Sequence, residues 1–524
     1  MKKKWPLLQV VSKGMYLVML KAIDKFIDSI TMYRLLLYYL IALLVAAICL
    51  SAFGDLHYKP LYIAISAIIL VVACWTINKV FSYIFDAPIN PESSLITALI
   101  LALIISPNPT GFNILFLLAA SGLAMASKYL IAIRYKHIFN PAAIAVVLTA
   151  LGPRQTASWW VGTAVMLPFV LIGGLLIMRK IRRERMVMSF FAATTLSTVF
   201  YSIISKVSVV SSLHNMILSS SVFFLGFVML TEPLTSPPTG KKQTWYGVIV
   251  GFLLPPQVHL FSFYTTPELA LIIGNAFSYI VSPKTKLFPI LKQKIKIATA
   301  SVDFIFNPDR RFAYEPGQYL EWTLQHDKTD SRGSRRYFSL ASSPTEPDLR
   351  IGIKFYDKSS SFKKALLNAD EDTFIVASQL AGDFVMPKDT NKKLVFIAGG
   401  IGITPFRSMV KYLLDKNQKR KVTLLYSART QEDLAYKSIF EEARSKLGLN
   451  TIYAVTDTDA KITDPNAVAG FISGELIKQT VPDYLERVFY ISGTPGMVKA
   501  MQGILSELGV PRHQIKVDYF SGYA

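Results

Sequence analysis

Arg336-Tyr337-Phe338-Ser339-Leu340-Ala341-Ser342 sets a guanidinium, two rings and a hydroxyl side by side after a basic loop. At the start of a strand, such an arginine can pair with a cofactor pyrophosphate. An aromatic beside it can lie along a flavin, and a hydroxyl can bond the flavin edge near N5. Read alone, the run is equally a surface strand with a mixed face. Ser359-Ser360-Ser361-Phe362-Lys363 reads as a helix start, where backbone N–H groups and hydroxyls form an anion site, or as a plain serine cap. Gly399-Gly400-Ile401-Gly402-Ile403-Thr404-Pro405 follows an apolar strand and precedes a helix, so its backbone can approach a phosphate or nicotinamide without a Cβ in the way. It is not a GxGxxG fingerprint, and the ordinary dinucleotide rule does not apply. ISGTPGMV, with Ser492, Gly493 and Met497, ends a further strand, and the sequence closes on DYFSGYA, where Phe520 either caps a flavin ring or finishes a core.

Elements of two kinds must position these groups. KIKIATASVDFIF, YLEWTLQH and LRIGIKF alternate as strands do, and several short strands over 292–388 predict a small antiparallel barrel. From Lys392 strands and helices alternate, which predicts a parallel α/β domain over 389–524. Ligands of such sheets bind outside the carboxyl ends of the strands, so Ser492 and Gly493 should face the crevice of the glycine turn.

Upstream, the chain has another character. Of 524 residues 52% are hydrophobic and only 17% charged, an average that conceals a succession of apolar runs up to about Ser282. A span needs roughly 20 apolar residues. Ten candidates follow: 33–53, 61–84, 94–106, 112–127, 141–152, 158–178, 187–204, 211–230, 245–263 and 267–281. With the N-terminus inside, the internal segments hold Lys2, Lys3, Lys4, Lys79, Lys128, Arg134, Lys136, Arg179, Lys180, Arg182, Arg183, Arg185, Lys241 and Lys242, among others. The external ones hold only Lys59, Arg154 and Lys206. This asymmetry predicts a multi-pass protein of the cell membrane with both termini cytoplasmic. It also accounts for much of the net charge of +21 as attraction to anionic lipid, not nucleic acid. The expected division is a basic segment 1–30, a transmembrane domain 31–282, a linker 283–291, and the two soluble domains. No removable signal peptide is expected. The two cysteines, Cys49 and Cys74, exclude an iron–sulfur cluster, a cysteine-rich zinc site and a disulfide framework, and no metal site is expected. Asp55, Asp86, Glu92, Glu232 and Glu268 lie at predicted span ends, where the cost of charge is small, and read as interfacial anchors. The short runs 94–106 and 141–152, the latter opening with Asn140-Pro141, read either as half-helices lining a ligand or ion site or as tilted packing helices.

SSLITALILALIISP, KHIFNPAA and TEPLTSPPTGKKQTWYGVIVG resemble the B subunit of the sodium-translocating NADH:quinone reductase and the D subunit of the Rnf complex, over about residues 30–282. The resemblance implies ten helices in two inverted repeats, flavin inside the membrane and ion-coupled electron transfer. The family attaches FMN to the Thr of a Ser-Gly-Ala-Thr motif. GPRQTASWWVGT stands in its place here, with Thr156 and Thr163 the nearest candidates. That argues against covalent FMN and leaves a non-covalent flavin open.

PGQY, RYFSLAS, SSSFK, GGIGITPF, YSAR, ISGTPGMV and FSGY resemble, in order, the ferredoxin–NADP reductase-like family over residues 292–524. The resemblance implies an FAD barrel and an NAD(P) domain exchanging a hydride between nicotinamide C4 and flavin N5. It assigns Arg336, Phe338 and Ser339 to FAD and Ser360 and Ser361 to its pyrophosphate, with Tyr337 and Phe362 in the same runs. Gly399, Gly400, Gly402, Ile403, Thr404, Pro405, Gly493 and Met497 fall to the dinucleotide. Ser339 and Ser492 are the candidate catalytic pair. Phe338 replaces the commoner Tyr, and Ser492 replaces the family's Cys. Ser427 and Arg429 could read an adenosine 2′-phosphate that Asp457 would repel, so NADH and NADPH both stay open. The expected function is a membrane flavoprotein reductase. It takes hydride from NAD(P)H into FAD and passes electrons to a quinone, a membrane flavin or a partner redox protein, alone or with further membrane subunits. Two rivals are a transporter with a nicotinamide-sensing domain and a reductase that is merely anchored.

Overall fold

The computed structural model describes residues 27, 30–85, 91–133, 136–152, 155–181, 183–218, 221–256, 258–260, 263–282, 286–330, 332–457, 459 and 462–518. Most of the basic N-terminal segment, Asp86, Arg182 and Phe520 lie outside them. The chain divides into two units, Met1–Thr285 and Lys286–Ala524.

The first unit is helical. Its helices are α1 (Met32–Ala52), α2 (Pro60–Ile84), α3 (Pro91–Ile104), α4 (Phe112–Leu130), α5 (Pro141–Leu151), α6 (Leu167–Ile181) and α7 (Glu184–Ile204). Then come the bent pair α8 (Val209–Leu218) and α9 (Val222–Met229), and α10 (Gly240–Leu253) and α11 (Pro267–Val281). Every one of the ten expected stretches carries a helix. Among the described residues only α1, α2, α4 and α7 are long and apolar enough to cross a bilayer alone, and the bent pair makes a fifth if taken as one span. Ten spans are therefore not shown: each expected stretch carries a helix, but several are too short to cross alone. The cause is visible in α3, α5 and α11, which have 14, 11 and 15 residues. At 1.5 Å per residue they reach only about 16–22 Å, against roughly 30 Å of hydrocarbon. Their ends are satisfied by protein instead. Asn140 and Thr266 cap α5 and α11 from the residue before a proline. At the far end of α3 the Ile104 carbonyl accepts from the backbone N–H groups of Ser158 and Trp159, and the Trp160 indole donates to Ala102 O and Ile105 O. A helix that ends among protein donors does not expose its orphan carbonyls to lipid.

Packing partners recur along the unit. α1 packs on α2 and α3, α2 on α4, and α4 on α5; in the second set α6 packs on α7 and α9, α7 on α10, and α10 on α11. The tightest pair, α7 with α10, depends on Gly247 and Gly251. A Cβ at either would stand 2.4 Å from a backbone oxygen of α7, Met186 O or Phe190 O. Small residues four apart let two backbones close in where no hydrophobic force separates helix from lipid.

The second unit opens with two antiparallel sheets. The strands are β1 (Ile290–Ala298), β2 (Ser301–Asn307), β3 (Tyr319–Leu324), β4 (Arg335–Ser339), β5 (Leu349–Lys354) and β6 (Ile375–Ala381), with helix α12 (Ser361–Asn368) between β5 and β6. They pair as β1-β2-β5 and β6-β3-β4 around one core containing Phe304, Phe306, Trp322, Ile351 and Phe362. The two ladders are separate sheets among the described residues, so the enclosure is open rather than a continuous barrel. Leu287 already exchanges both backbone bonds with Ala377, so the barrel begins before β1.

β7 (Leu394–Gly399), α13 (Thr404–Asp415), β8 (Val422–Ala428), α14 (Lys437–Leu447), β9 (Asn450–Val455), β10 (Ala467–Ala469), α15 (Gly474–Thr480), β11 (Val488–Ser492), α16 (Pro495–Glu507) and β12 (Ile515–Asp518) complete the chain. The strands form one parallel sheet in the order β10-β9-β8-β7-β11-β12. The reversal of order beside β7 places its carboxyl end at the switch point where such sheets bind ligands.

Candidate functional site

The carboxyl ends of β7, β8, β11 and β12 line up. Gly399 pairs in register with Ser427, Ala398 with Ser492, and Ser492 with Asp518. Gly402 must be glycine because a Cβ there would lie 2.5–2.7 Å from Ser492 O, Ser492 C and Gly493 Cα. At Gly399 it would meet Met497 Sδ at 2.0 Å. These two glycines therefore let the two strand ends close on each other, a packing role. Gly400, at φ +53°, has open space where its Cβ would be, so it is the position of the turn whose left-handed backbone favours glycine. Ile403, Thr404 and Pro405 are buried at the start of α13, and the Thr404 hydroxyl donates to Ile401 O at 3.2 Å.

On the barrel, alternation along β4 sends Arg336 and Phe338 to one face and Tyr337 to the other. Arg336 is 1% exposed, with its guanidinium 5.3 Å from the Phe362 ring, and Phe338 packs 5.9 Å from the same ring. Tyr337 instead donates to Glu321 Oε2 at 2.7 Å. The three serines before α12 have defined tasks. Ser359 Oγ donates to Tyr356 O at 2.7 Å, and Ser360 Oγ caps α12 by accepting from Lys363 N. Ser361 Oγ accepts from Asp330 N at 3.0 Å and lies 2.9 Å from His326 Nε2, while its own N–H donates to Asp330 Oδ2. The serine cap is thus present, and what the turn offers an anion is cation density. Burial, then the neighbouring cations Arg336 and Arg332, hold the Lys363 ammonium down to about 8. Arg332 and Arg336 reach the Asp330 carboxylate at 2.9 and 3.8 Å, while Lys363 Nζ donates to Lys354 O at 2.9 Å; a diphosphate would relieve the repulsion among the three cations.

Ser339, at the end of β4, donates its hydroxyl to Asp518 Oδ2 at 3.1 Å. Asp518 pairs in strand register with Ser492, so the partner of Ser339 stands on the strand beside the other candidate catalytic serine, a carboxylate that sequence reasoning does not single out. The polar position before the closing aromatic pair was its only signal. Lys363, Arg332 and Asp330 were also missed as an electrostatic group. Arg429 is 77% exposed along its side chain, and its Nε pairs with Asp457 Oδ2 at 3.2 Å. Ser427 is half-buried at the neighbouring strand end.

In the helical unit, Glu232 and Glu268, two of the acids read as interfacial anchors, are bonded to protein groups. Glu232 accepts from Asn140 Nδ2 at 2.8 Å and Thr235 Oγ1 at 3.1 Å, with His137 Nε2 at 3.4 Å. Asn140 N donates to Asn275 Oδ1, and Asn275 Nδ2 to the Tyr246 hydroxyl, both at 2.8 Å. Glu268 is buried and accepts from the Trp159 indole at 3.0 Å. Carboxylates shielded this way are held by protein donors because lipid offers none. Glu92 pairs with Arg34 at 3.0 Å in the first turn of α3.

Two family models match. "NQR2, RnfD, RnfE family" covers residues 156–286, and "Oxidoreductase NAD-binding domain" covers residues 396–503. Flavohemoprotein A of Dictyostelium discoideum is 28% identical over 248 residues, 44% of this chain and 59% of that protein. The glycine betaine monooxygenase reductase subunit of Chromohalobacter salexigens is 26% identical over 200 residues, 38% of this chain and 54% of that protein. The chain thus spans between half and three-fifths of the length of these relatives. Among solved structures, the FAD/NAD-binding domain of a nitric oxide dioxygenase from Vibrio cholerae is 22% identical, covering 44% of this chain and 97% of that one, at a TM-score of 0.39. The chain therefore carries a stretch similar to the NQR2, RnfD, RnfE family ahead of one similar to an oxidoreductase NAD-binding domain.

Proposed function

We propose that this protein is a membrane-bound NAD(P)H-dependent flavoprotein reductase that sends electrons from FAD to an acceptor at or in the bilayer. The observation that carries the reading is the Ser339–Asp518 bond, because it brings a barrel strand with cofactor-type residues to the carboxyl edge of the nicotinamide-type sheet. Arg336, Arg332 and Lys363 would hold the FAD diphosphate, and Phe338 would line its ring. The turn from Gly399 to Pro405, with Gly493 and Met497, would hold the nicotinamide dinucleotide. A bound flavin supplies the exchange of a two-electron hydride for single electrons. Ser339 would present its oxygen to the reacting edge while its hydroxyl donates a hydrogen bond to Asp518. Ser492 packs beside the nicotinamide position, and Met497 fills the crevice floor and keeps water out.

NADH is the favoured donor, since Asp457 neutralises Arg429 and would repel a 2′-phosphate. The basic asymmetry of the loops supports a cytoplasmic location for both termini and for the reductase unit. The acceptor is a quinone, a membrane flavin or a partner redox protein, with ion movement coupled through the helical unit. The test is a flavin inventory of the purified full-length protein, followed by anaerobic addition of NADH. Bound flavin that bleaches with NADH supports the reading; a colourless protein that takes up no added FAD sinks it.

A further inference from the structure

The barrel and the parallel domain are clamped together behind the reacting edge by a buried polar cluster that the mechanism above does not use. Arg407, on the first turn and a half of α13, is 3% exposed. Its Nη1 donates to Ala341 O at 2.9 Å, and its Nη2 to Glu346 Oε1 at 2.8 Å. The second Glu346 oxygen is also bound by Nη1, so the fork is bidentate. The next residue, Ser408, donates to Ser342 O at 2.6 Å. On the other side of the cluster, Tyr436 at the start of α14 donates to Asp303 Oδ1 on β2 at 2.8 Å, and Arg350 Nη1 reaches Asp303 Oδ2 at 3.1 Å. Gly352 on β5 completes the contact: a Cβ there would stand 2.6 Å from the Tyr436 hydroxyl and 2.8 Å from Thr404 Cγ2.

The positions of these contacts in the chain are what matter. Ala341 is two residues beyond Ser339, and Arg407 is two residues beyond Pro405, where the glycine turn ends. One side chain therefore holds the flavin-type strand and the nicotinamide-type turn to each other, with a planar fork that resists rotation as a lysine ammonium would not. We propose that Arg407 is a positioning residue for hydride transfer: through Ala341 O and Glu346 it sets the separation between the Ser339 edge and the Gly399–Pro405 turn. This rests on the reductase reading above. Hydride transfer needs its reacting atoms about 3–3.5 Å apart, and a shift near 1 Å costs on the order of 100-fold. Loosening the fork should slow the chemical step more than it weakens either cofactor.

The test uses the full-length protein and its Arg407→Lys variant, which keeps the charge and loses the fork. Flavin content per chain, NADH affinity and the anaerobic rate of flavin bleaching at saturating NADH are measured, with dithionite as a reductant that needs no docking. The expected result is flavin content and NADH affinity within about threefold of the parent, an unchanged dithionite rate, and an NADH bleaching rate down at least tenfold. A bleaching rate within twofold of the parent overturns the proposal. Should Arg407→Lys lose its flavin, Ser408→Ala decides in its place. Slower NADH bleaching at full flavin content supports the clamp, and an unchanged rate overturns it. Failure of the reductase reading looks different, because it appears in the parent protein as absence of NADH-driven bleaching.

Discussion

The Ser339 hydroxyl of the barrel donates to Asp518 Oδ2 of the parallel sheet at 3.1 Å, across 179 positions of sequence. A hydroxyl whose proton is committed to a carboxylate presents lone pairs to whatever lies on its other side. On the proposed reading, Ser339 would use those lone pairs toward the edge of a bound flavin.

Replacing either partner should slow NADH-driven flavin bleaching. Ser339→Ala and Asp518→Ala are each expected to lower the rate about 10- to 100-fold through lost orientation. Because the two act through one bond, the double variant should be little slower than the worse single one. Stopped-flow absorbance at the flavin band checks this; multiplicative losses would show that the residues act separately.

Donor choice should turn on Asp457. With its carboxylate 3.2 Å from Arg429 Nε, the arginine is neutralised where a 2′-phosphate would bind. Asp457→Asn leaves Arg429 as an uncompensated cation, and kcat/KM for NADPH is expected to rise roughly tenfold, equivalent to ~1.4 kcal/mol. The NADH value should stay within about twofold, since NADH carries no charge at that position. Steady-state turnover with ferricyanide and both nucleotides measures the ratio. An NADPH value that does not move would place adenosine recognition elsewhere.

Affinity for FAD should weaken in mild alkali. Burial and two neighbouring cations lower the Lys363 ammonium to about 8. A bound diphosphate favours the charged form and restores the value toward ~10.4. Between those two values binding takes up a proton, so the apparent Kd for FAD should rise about tenfold from pH 7 to pH 9. Lys363→Met should bind more weakly at pH 7 and lose the slope. Fluorescence titration of deflavinated protein at several pH values supplies the comparison.

Much of the soluble unit was legible because its signals are local. Strand alternation, a glycine turn after an apolar strand and X-Pro helix starts each need only a few neighbouring residues, and those elements stand where the patterns put them. The roles of Ser359, Ser360 and Ser361 were only half visible. A triple serine announces a helix cap, but its partners Asp330 and His326 lie some thirty positions away. Asp518 and Arg407 were invisible for a similar reason, since a lone polar residue acquires meaning only when the fold brings a partner from a distant strand. In the helical unit, hydropathy located the described helices from Met32 onward but not their lengths. The short helices α3, α5 and α11 are set by capping residues and protein neighbours, quantities that a composition window does not measure.

Glu232 is where that unit can be tested apart from the soluble one. Its carboxylate gathers Asn140, which caps the short helix α5, Thr235 from its own loop and His137 from the segment before α5. Asn140 also grips Asn275 on α11, so the acid anchors the start of one short helix against the middle of another. Losing one acceptor of this half-buried charge-assisted set costs about 1–3 kcal/mol locally and frees the Asn140 amide. Glu232→Gln keeps the volume but sets an amide NH₂ against donors. It is expected to lower NADH–quinone turnover in proteoliposomes several-fold while NADH–ferricyanide turnover, which needs only the soluble unit, stays at the parent level. Equal loss of both activities would mean that the cluster supports the whole protein. Unchanged quinone turnover would mean that electrons leave without passing near α5, and the helical unit would then be an anchor.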